Sequence, residues 1–487
     1  MKLAYKTSVL AVATALALTG CSFGPSGEPP AMPSPEYYGA QAQPSKTVAA
    51  GGIAQRFDIG ATSVPQWWRL YRSDALDALV EEGLRNSPTL AATQRTLSAA
   101  QEELRGQIGS STLPSVDAAA QVERARSPVV PGIGPSEVRY NFFAGQIQTH
   151  YTFDLFGATR YANAAAAARV NVQAYELEAA RRALAANIVG TAINVAALDR
   201  QIALSERLVA VASETANDDQ QRYVLGSISH VQALNSTQDS DLIAASLPAL
   251  RQQRISALHA LAVLMGRTPD NAPTVPDFDS MALPDQVPVV VPSDLLRSRP
   301  DIQAADAAVK AAAADVGAAT AQLFPSLSLT ASMGRGGFSW PAMLSGAGGL
   351  WEIGAGLSQP LFHGGALFAQ RRASIDTYDA AVLHYKSTVL SAFQDVADSL
   401  AALDNDAQML ALTERAAQAA HAAFEETASR TRLGSLPSTA QHASEQRLLN
   451  AQLGAVRAGS QRMSDTAALF QAMGELQDDQ PHMTSRE

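Results

Sequence analysis

RNSPTLAATQRTLSAAQEELRGQIGSSTLPSV (residues 85–116) and RSRPDIQAADAAVKAAAADVGAATAQLFPSL (residues 297–327) are two copies of one pattern. Each begins with arginine near a proline, runs through alanine-rich helical sequence, and ends at a proline, Pro114 or Pro325. The correspondence continues outward. YTFDLFGATR (151–160) answers to LSQPLFHGGA (357–366), YVLGSIS (223–229) to TRLGSLP (431–437), and VLMG (263–266) to QAMG (471–474). The offsets all lie close to 208 residues. Short periods of roughly 20–50 residues mark solenoids; a period this long marks two copies of one large unit.

The order of elements within each copy follows from the spacing of apolar residues. A helix (Leu90 to Ser111, Ile302 to Leu323) stops at the proline, which cannot continue it. The period then changes to two. Val116, Ala118, Ala120 and Val122 share one face against Asp117, Gln121 and Glu123. Phe143, Ile147, Tyr151 and Phe153 oppose Gln146, Gln148, His150 and Thr152. The second copy alternates likewise, through Leu327, Leu329, Ala331 and Met333, then Ile353, Ala355 and Leu357. Such alternation predicts half-buried strands, paired as hairpins through SPVVPGIGPSEV and WPAMLSGAGG.

A very long helix follows each hairpin, about Ala158 to Tyr223 and Ala366 to Arg432, on the order of 100 Å at 1.5 Å per residue. Leu184, Ile188, Thr191, Val195, Leu198, Ile202, Ser205 and Val209 step alternately by four and three, as do Val389, Phe393, Val396, Leu400, Leu403, Ala407 and Leu410. This spacing is a coiled-coil seam. Turns at Gly226 and Gly434 lead into returning helices, Val231 to Leu264 and Thr439 to Ala472.

Four amphipathic strands cannot close a barrel, and open sheet edges are not tolerated in lipid. The expected fold class is therefore an α+β membrane protein with an internal two-fold duplication. Four strands per chain build a trimeric 12-stranded outer-membrane β-barrel, continued by a long α-helical coiled-coil tunnel in the periplasm. The domain reading is a signal peptide (1–20), a lipidated flexible tether (21–60), a first repeat (61–270), a linker (271–293), a second repeat (294–474) and a short polar tail (475–487).

Cys21 is the single cysteine in 487 residues, so an internal disulfide and a four-cysteine zinc site are excluded. It follows a basic start at Lys2 and Lys6, an apolar run from Ser8 to Leu18, and the small residues Thr19 and Gly20. That is the form of a secretory signal ending in a lipobox, with Cys21 acylated as the first mature residue. Ser22, rather than an aspartate, follows it, which favours sorting to the outer membrane.

Net charge is −10, which excludes nucleic acid as a partner. Eight histidines are scattered without an H-x-x-x-H pair, and neither a phosphate loop nor a glycine-rich cofactor loop is present. The chain is expected to be no enzyme, with no cofactor and no metal, and unable to power transport itself.

These residues resemble the TolC-like outer membrane factors of tripartite efflux systems, especially their lipoprotein (NodT-like, OprM-like) branch, over about Gln66 to Gly474. The most specific segment runs through Asp294-Leu295-Leu296, Arg299-Pro300-Asp301-Ile302 and Leu323-Phe324-Pro325. Phe153, Asp154, Leu155, Phe156 and Gly157, with Pro360, Leu361, Phe362, Gly364 and Gly365, are similar to the family's two strand-to-helix junctions. There glycine gives backbone freedom, and the Leu-Phe pairs are expected to wedge the bends. The resemblance implies a homotrimer embedded in outer-membrane lipid, a periplasmic adaptor and an inner-membrane proton-driven transporter. It implies a passive exit duct of an RND-type pump for drugs or small toxic compounds; the alternative is the duct of a type I protein secretion system. Adaptor docking falls to the hairpin tips, at Tyr223, Gly226, Ser229, Arg432, Gly434 and Ser435. The aspartates and the tyrosine common near the family's aperture are replaced here by Gln232, Ala440, Ala443 and Thr431.

Overall fold

The computed structural model describes residues 23–33, 35–39, 44–61, 64–128 and 137–474. The signal segment, Cys21, the tail 475–487 and most of the SPVVPGIGPSEV loop lie outside the described residues. The chain forms two compact units, and each draws on both halves of the sequence. One takes Met1–Ala31, Thr96–Ala174 and Ala304–Lys386; the other takes Met32–Arg95, Tyr175–Gln303 and Ser387–Glu487.

The first unit is built on a four-stranded antiparallel sheet. Its strands are β2 (Ser115–Pro128), β3 (Glu137–Phe153), β5 (Ser326–Gly337) and β6 (Gly349–Ser358), in the order β2-β3-β5-β6. The register sets Ala118 opposite Ile147, Ile147 opposite Met333 and Ala331 opposite Ile353, so these residues share one face. Gln146, Ser332 and Glu352 follow the other face by the same pairing. The WPAMLSGAGG connection is not a plain loop. It holds a short helix, α7 (Trp340–Leu344), whose N-cap Ser339 accepts a hydrogen bond from the Ala342 amide. Helices α2 (Pro88–Thr112) and α6 (Pro300–Ala321) lead into the strands, the short helix α5 (Pro292–Ser298) standing just before α6. In α6, Val309, Ala311, Ala312, Ala313, Val316 and Ala319 are buried. A side chain at Gly317 would collide with the Tyr161 ring at 2.6 Å, which accounts for glycine there.

The second unit is helical apart from a two-stranded parallel sheet, β1 (Arg56–Ile59) with β4 (Gln286–Val289). Helix α1 (Asp74–Asn86) is capped by Ser73, which accepts from the Leu76 amide, with Asp74 and Asp77 in the first turn. The long helices α3 (Ala158–Val224) and α8 (Ala366–Arg432) have 67 residues each. They turn into α4 (His230–Leu264) and α9 (Ser438–Met473). The seam residues Leu184, Ile188, Val195, Leu198 and Ser205 are buried, as are Val389, Val396, Leu400, Leu403, Ala407 and Leu410. Leu204, Leu208 and Val211 of α3 pack on Leu449 and Leu453 of α9. Trp67, in a short 3-10 turn (Trp67–Tyr71), stacks on Phe470 with ring centroids 5.3 Å apart.

The segment expected to be a flexible tether departs from that reading in its later part. Residues 44–61 carry β1, and Thr47, Ala50, Gln55 and Phe57 are buried. Arg462 of α9, completely buried, holds them. Its Nε donates to Gln55 Oε1 at 3.0 Å, Nη1 to the Ala50 carbonyl at 3.2 Å, and Nη2 to Thr47 Oγ1 at 3.1 Å. Gln55 Nε2 then donates to Thr466 Oγ1 at 3.1 Å. Polar residues go inside here because hydrogen bonds replace those lost from water.

Candidate functional site

One face of the four-stranded sheet is an apolar surface left open. Val116, Val122, Ile147, Met333, Trp351, Ile353 and Leu357 are all exposed on it, Trp351 by 78%. Strands β2 and β6 also keep free edges. Large exposed apolar faces mark contact with a membrane or a partner, and free edges call for more strand.

At the first junction Phe153 ends β3, and the Asp154 carboxylate caps α3. Its Oδ1 accepts from the Thr159 amide at 3.0 Å and its Oδ2 from the Arg160 amide at 2.9 Å, where a helix start favours negative charge. Gly157 has φ 81°, and its carbonyl accepts from the Tyr161 amide. Phe156 stacks on Phe324 at 5.0 Å, and Phe324 packs on Phe23 at 4.7 Å. Leu155 is exposed. At the second junction Gly364 and Gly365 have φ 58° and 84°, while Leu361 and Phe362 are 91% and 86% exposed. A wedge within the chain is thus Phe156 alone. Among the described residues, nothing covers the second Leu-Phe pair. Both junctions, Phe153 to Thr159 and Ser358 to His363, line one groove of about 730 Å³.

The hairpin tips are built alike. Gly226 and Gly434 have φ 73° and 76°. The Gly226 amide donates to the Tyr223 carbonyl and the Ser227 amide to the Arg222 carbonyl; Gly434 and Ser435 repeat this toward Thr431 and Arg430. This is the Schellman closure of a helix, which needs a left-handed residue at its centre. Ser229 caps α4 by accepting from the Gln232 amide at 3.2 Å, and Tyr223 stacks on His230 at 4.8 Å. Leu225 and Leu433 stand exposed, and so do Arg432 and Ser435. The junction residues and tip residues thus form separate groups, each belonging to a single unit.

Among the described residues no group of three His, Cys, Asp or Glu side chains is gathered to hold a metal, and no helix is long and apolar enough to cross a membrane.

The family model for outer membrane efflux proteins matches residues 79–267 and 291–475. The chain belongs to that family. The antibiotic efflux pump outer membrane protein ArpC of Pseudomonas putida is 32% identical over 412 residues, 81% of this chain and 80% of that protein. The pyoverdine export outer membrane protein OpmQ of Pseudomonas aeruginosa is 28% identical over 424 residues, 85% and 88% of the two chains. In fold, the chain is similar to the CmeC outer membrane channel of Campylobacter jejuni, with TM-score 0.82, 20% identity and coverage of 94% and 96%.

In this outer membrane efflux protein the Arg299-Pro300-Asp301-Ile302 segment has a visible task. Arg299 Nε and Nη2 grip Asp301 at 3.0 and 2.7 Å; Nη2 also reaches Asp395 of α8 at 3.0 Å, and Nη1 donates to the Ala472 carbonyl at 2.9 Å. It fastens the start of α6 and the end of α9 to the interior of α8. Burial opposes the charge on Arg299, but the two aspartates outweigh it and hold the guanidinium above its ordinary pKa. Sequence alone does not single out the Arg462 clasp, since a lone arginine within a helix carries no motif.

Proposed function

We propose that the protein is the passive exit duct of a tripartite efflux pump, carrying drugs or other small toxic compounds across the outer membrane. The observation that carries this is the open apolar face of a four-stranded sheet with two free edges, in a chain of the outer membrane efflux protein family. Three chains pair β2 of one with β6 of the next and close a twelve-stranded barrel, apolar outside and polar toward the lumen. Helices α3, α4, α8 and α9 of the three chains form the coiled-coil tunnel in the periplasm. Cys21 carries the lipid and acts with the barrel as a second anchor. Tyr223, Gly226, Ser229, Arg432, Gly434 and Ser435 receive a periplasmic adaptor, and a proton-driven inner-membrane transporter supplies the energy. Two repeats, 61–270 and 294–474, flank a linker at 271–293.

Support for the efflux assignment lies in ArpC, named for antibiotic efflux, and OpmQ, named for pyoverdine export. The test is a deletion strain with the gene returned on a plasmid. The expected result is accumulation of dyes and antibiotics in the deletion and clearance on complementation. Unchanged accumulation together with retention of a secreted protein would put the secretion duct in its place.

A further inference from the structure

Charge is segregated across the four-stranded sheet. Among the described strand residues, Asp117, Glu123 and Glu352 lie on the polar face with no lysine or arginine. Arg124, Arg126, Arg139 and Arg335 all lie on the opposite face. At the loop end of the acidic face the polar residues give way to rings. Phe142 sits directly across the strand pair from Glu123. Phe338 meets Tyr140 edge-on at 5.7 Å and Phe142 at 6.0 Å. Glu123, Tyr140, Phe142 and Phe338 together line an open groove of about 600 Å³.

We infer that this groove is a binding site for hydrophobic organic cations near the outer end of the lumen. The inference rests on the duct reading, in which the acidic face lines the lumen. Aromatic faces and edges attract a cation's charge and cover its apolar groups. Glu123 accepts a hydrogen bond from Gln121 Nε2 at 3.1 Å, and a carboxylate has acceptor positions to spare beyond one such bond. An anion meets three carboxylates on this face and no lysine or arginine among the described strand residues. A small hydrated metal ion gains nothing from the rings. The ligand that uses both parts of the groove carries delocalised or shielded positive charge within an apolar body. Three such grooves around the barrel axis would make a last station for a cationic substrate before release.

The test uses tetraphenylphosphonium and its isostere of opposite charge, tetraphenylborate, on the purified full-length protein. Equilibrium binding is measured in detergent by calorimetry, and block of ionic current in planar bilayers. The expected result is saturable binding and block by the phosphonium and not by the borate. Glu123→Gln and Phe338→Leu should each weaken both by roughly fivefold. Equal effects of the two ions, or a phosphonium affinity unchanged in both variants, would overturn the site. Ionic current without selective binding defeats the site and leaves the duct standing. Selective binding lost in the variants, with no current at all, supports the site and defeats the duct.

Discussion

Arg462 and Asp406 show how single side chains decide the behaviour of the second unit. Arg462 donates to the Ala50 and Ile53 carbonyls and to the side chains of Thr47 and Gln55, so a methionine there leaves several buried acceptors unpaired. Arg462→Met is expected to free residues 44–57, at a local cost of roughly 2–4 kcal/mol. Amide exchange across that segment measures it; unchanged protection would refute the clasp. Asp406 of α8 is buried, and burial, reinforced by the neighbouring Asp465 carboxyl, pushes it from the ordinary 3.8 up to about 7, against the pull of Arg462. Its folded-state value lies above the unfolded one, so folding takes up a proton between about pH 4 and 7. The contribution of Asp406 to stability is therefore fullest below that window and is lost as pH rises through it. Thermal unfolding at about pH 5 and about pH 8 should differ less in Asp406→Asn than in the native chain. An equal difference in both would remove Asp406 from the account.

Turns and seams belong to the next scale. At Gly226 and Gly434 nothing lies within 4 Å of an added Cβ, so substitution costs only the left-handed backbone, about 1–2 kcal/mol. Gly474 ends α9 with φ 73° and also faces the Ser298 carbonyl so closely that a Cβ would collide with backbone. Gly226→Val with Gly434→Val should therefore abolish efflux while the chain still folds and assembles, and Gly474→Val should lower expression and thermal stability. Normal efflux in the tip variant would sink the docking role. The same scale shows what sequence makes legible. Helix α8 spans Ala366–Arg432, the limits its seam and its turn glycine imply, because a 3.5-residue repeat and a Schellman glycine are local signals. The strands follow from alternation for the same reason. The strap at 44–61 was not legible. It is held by polar residues that hydrogen-bond to an arginine more than 400 residues away in sequence, and composition reports only that such a segment has little to bury. The second junction was half legible: its glycines turn the chain, but Leu361 and Phe362 stay exposed among the described residues.

For the whole molecule the question is what meets the open edges β2 and β6. They lie on opposite sides of the sheet, with β3 and β5 between them, so they cannot pair within one chain. A closed trimer satisfies both edges, places Val116, Trp351 and Ile353 in lipid, and surrounds Leu361 and Phe362 with neighbouring chains or lipid. The most direct measurement is disulfide cross-linking in intact outer membranes. One cysteine is placed on β2, at Ala118, Ala120 or Val122, and one on β6, at Ile353 or Ala355, with each single-cysteine variant as control. The expected result is a ladder of two and then three linked chains that stops at three. Chains that stay monomeric at every pair, or a ladder that runs past three, would contradict the closed trimeric barrel.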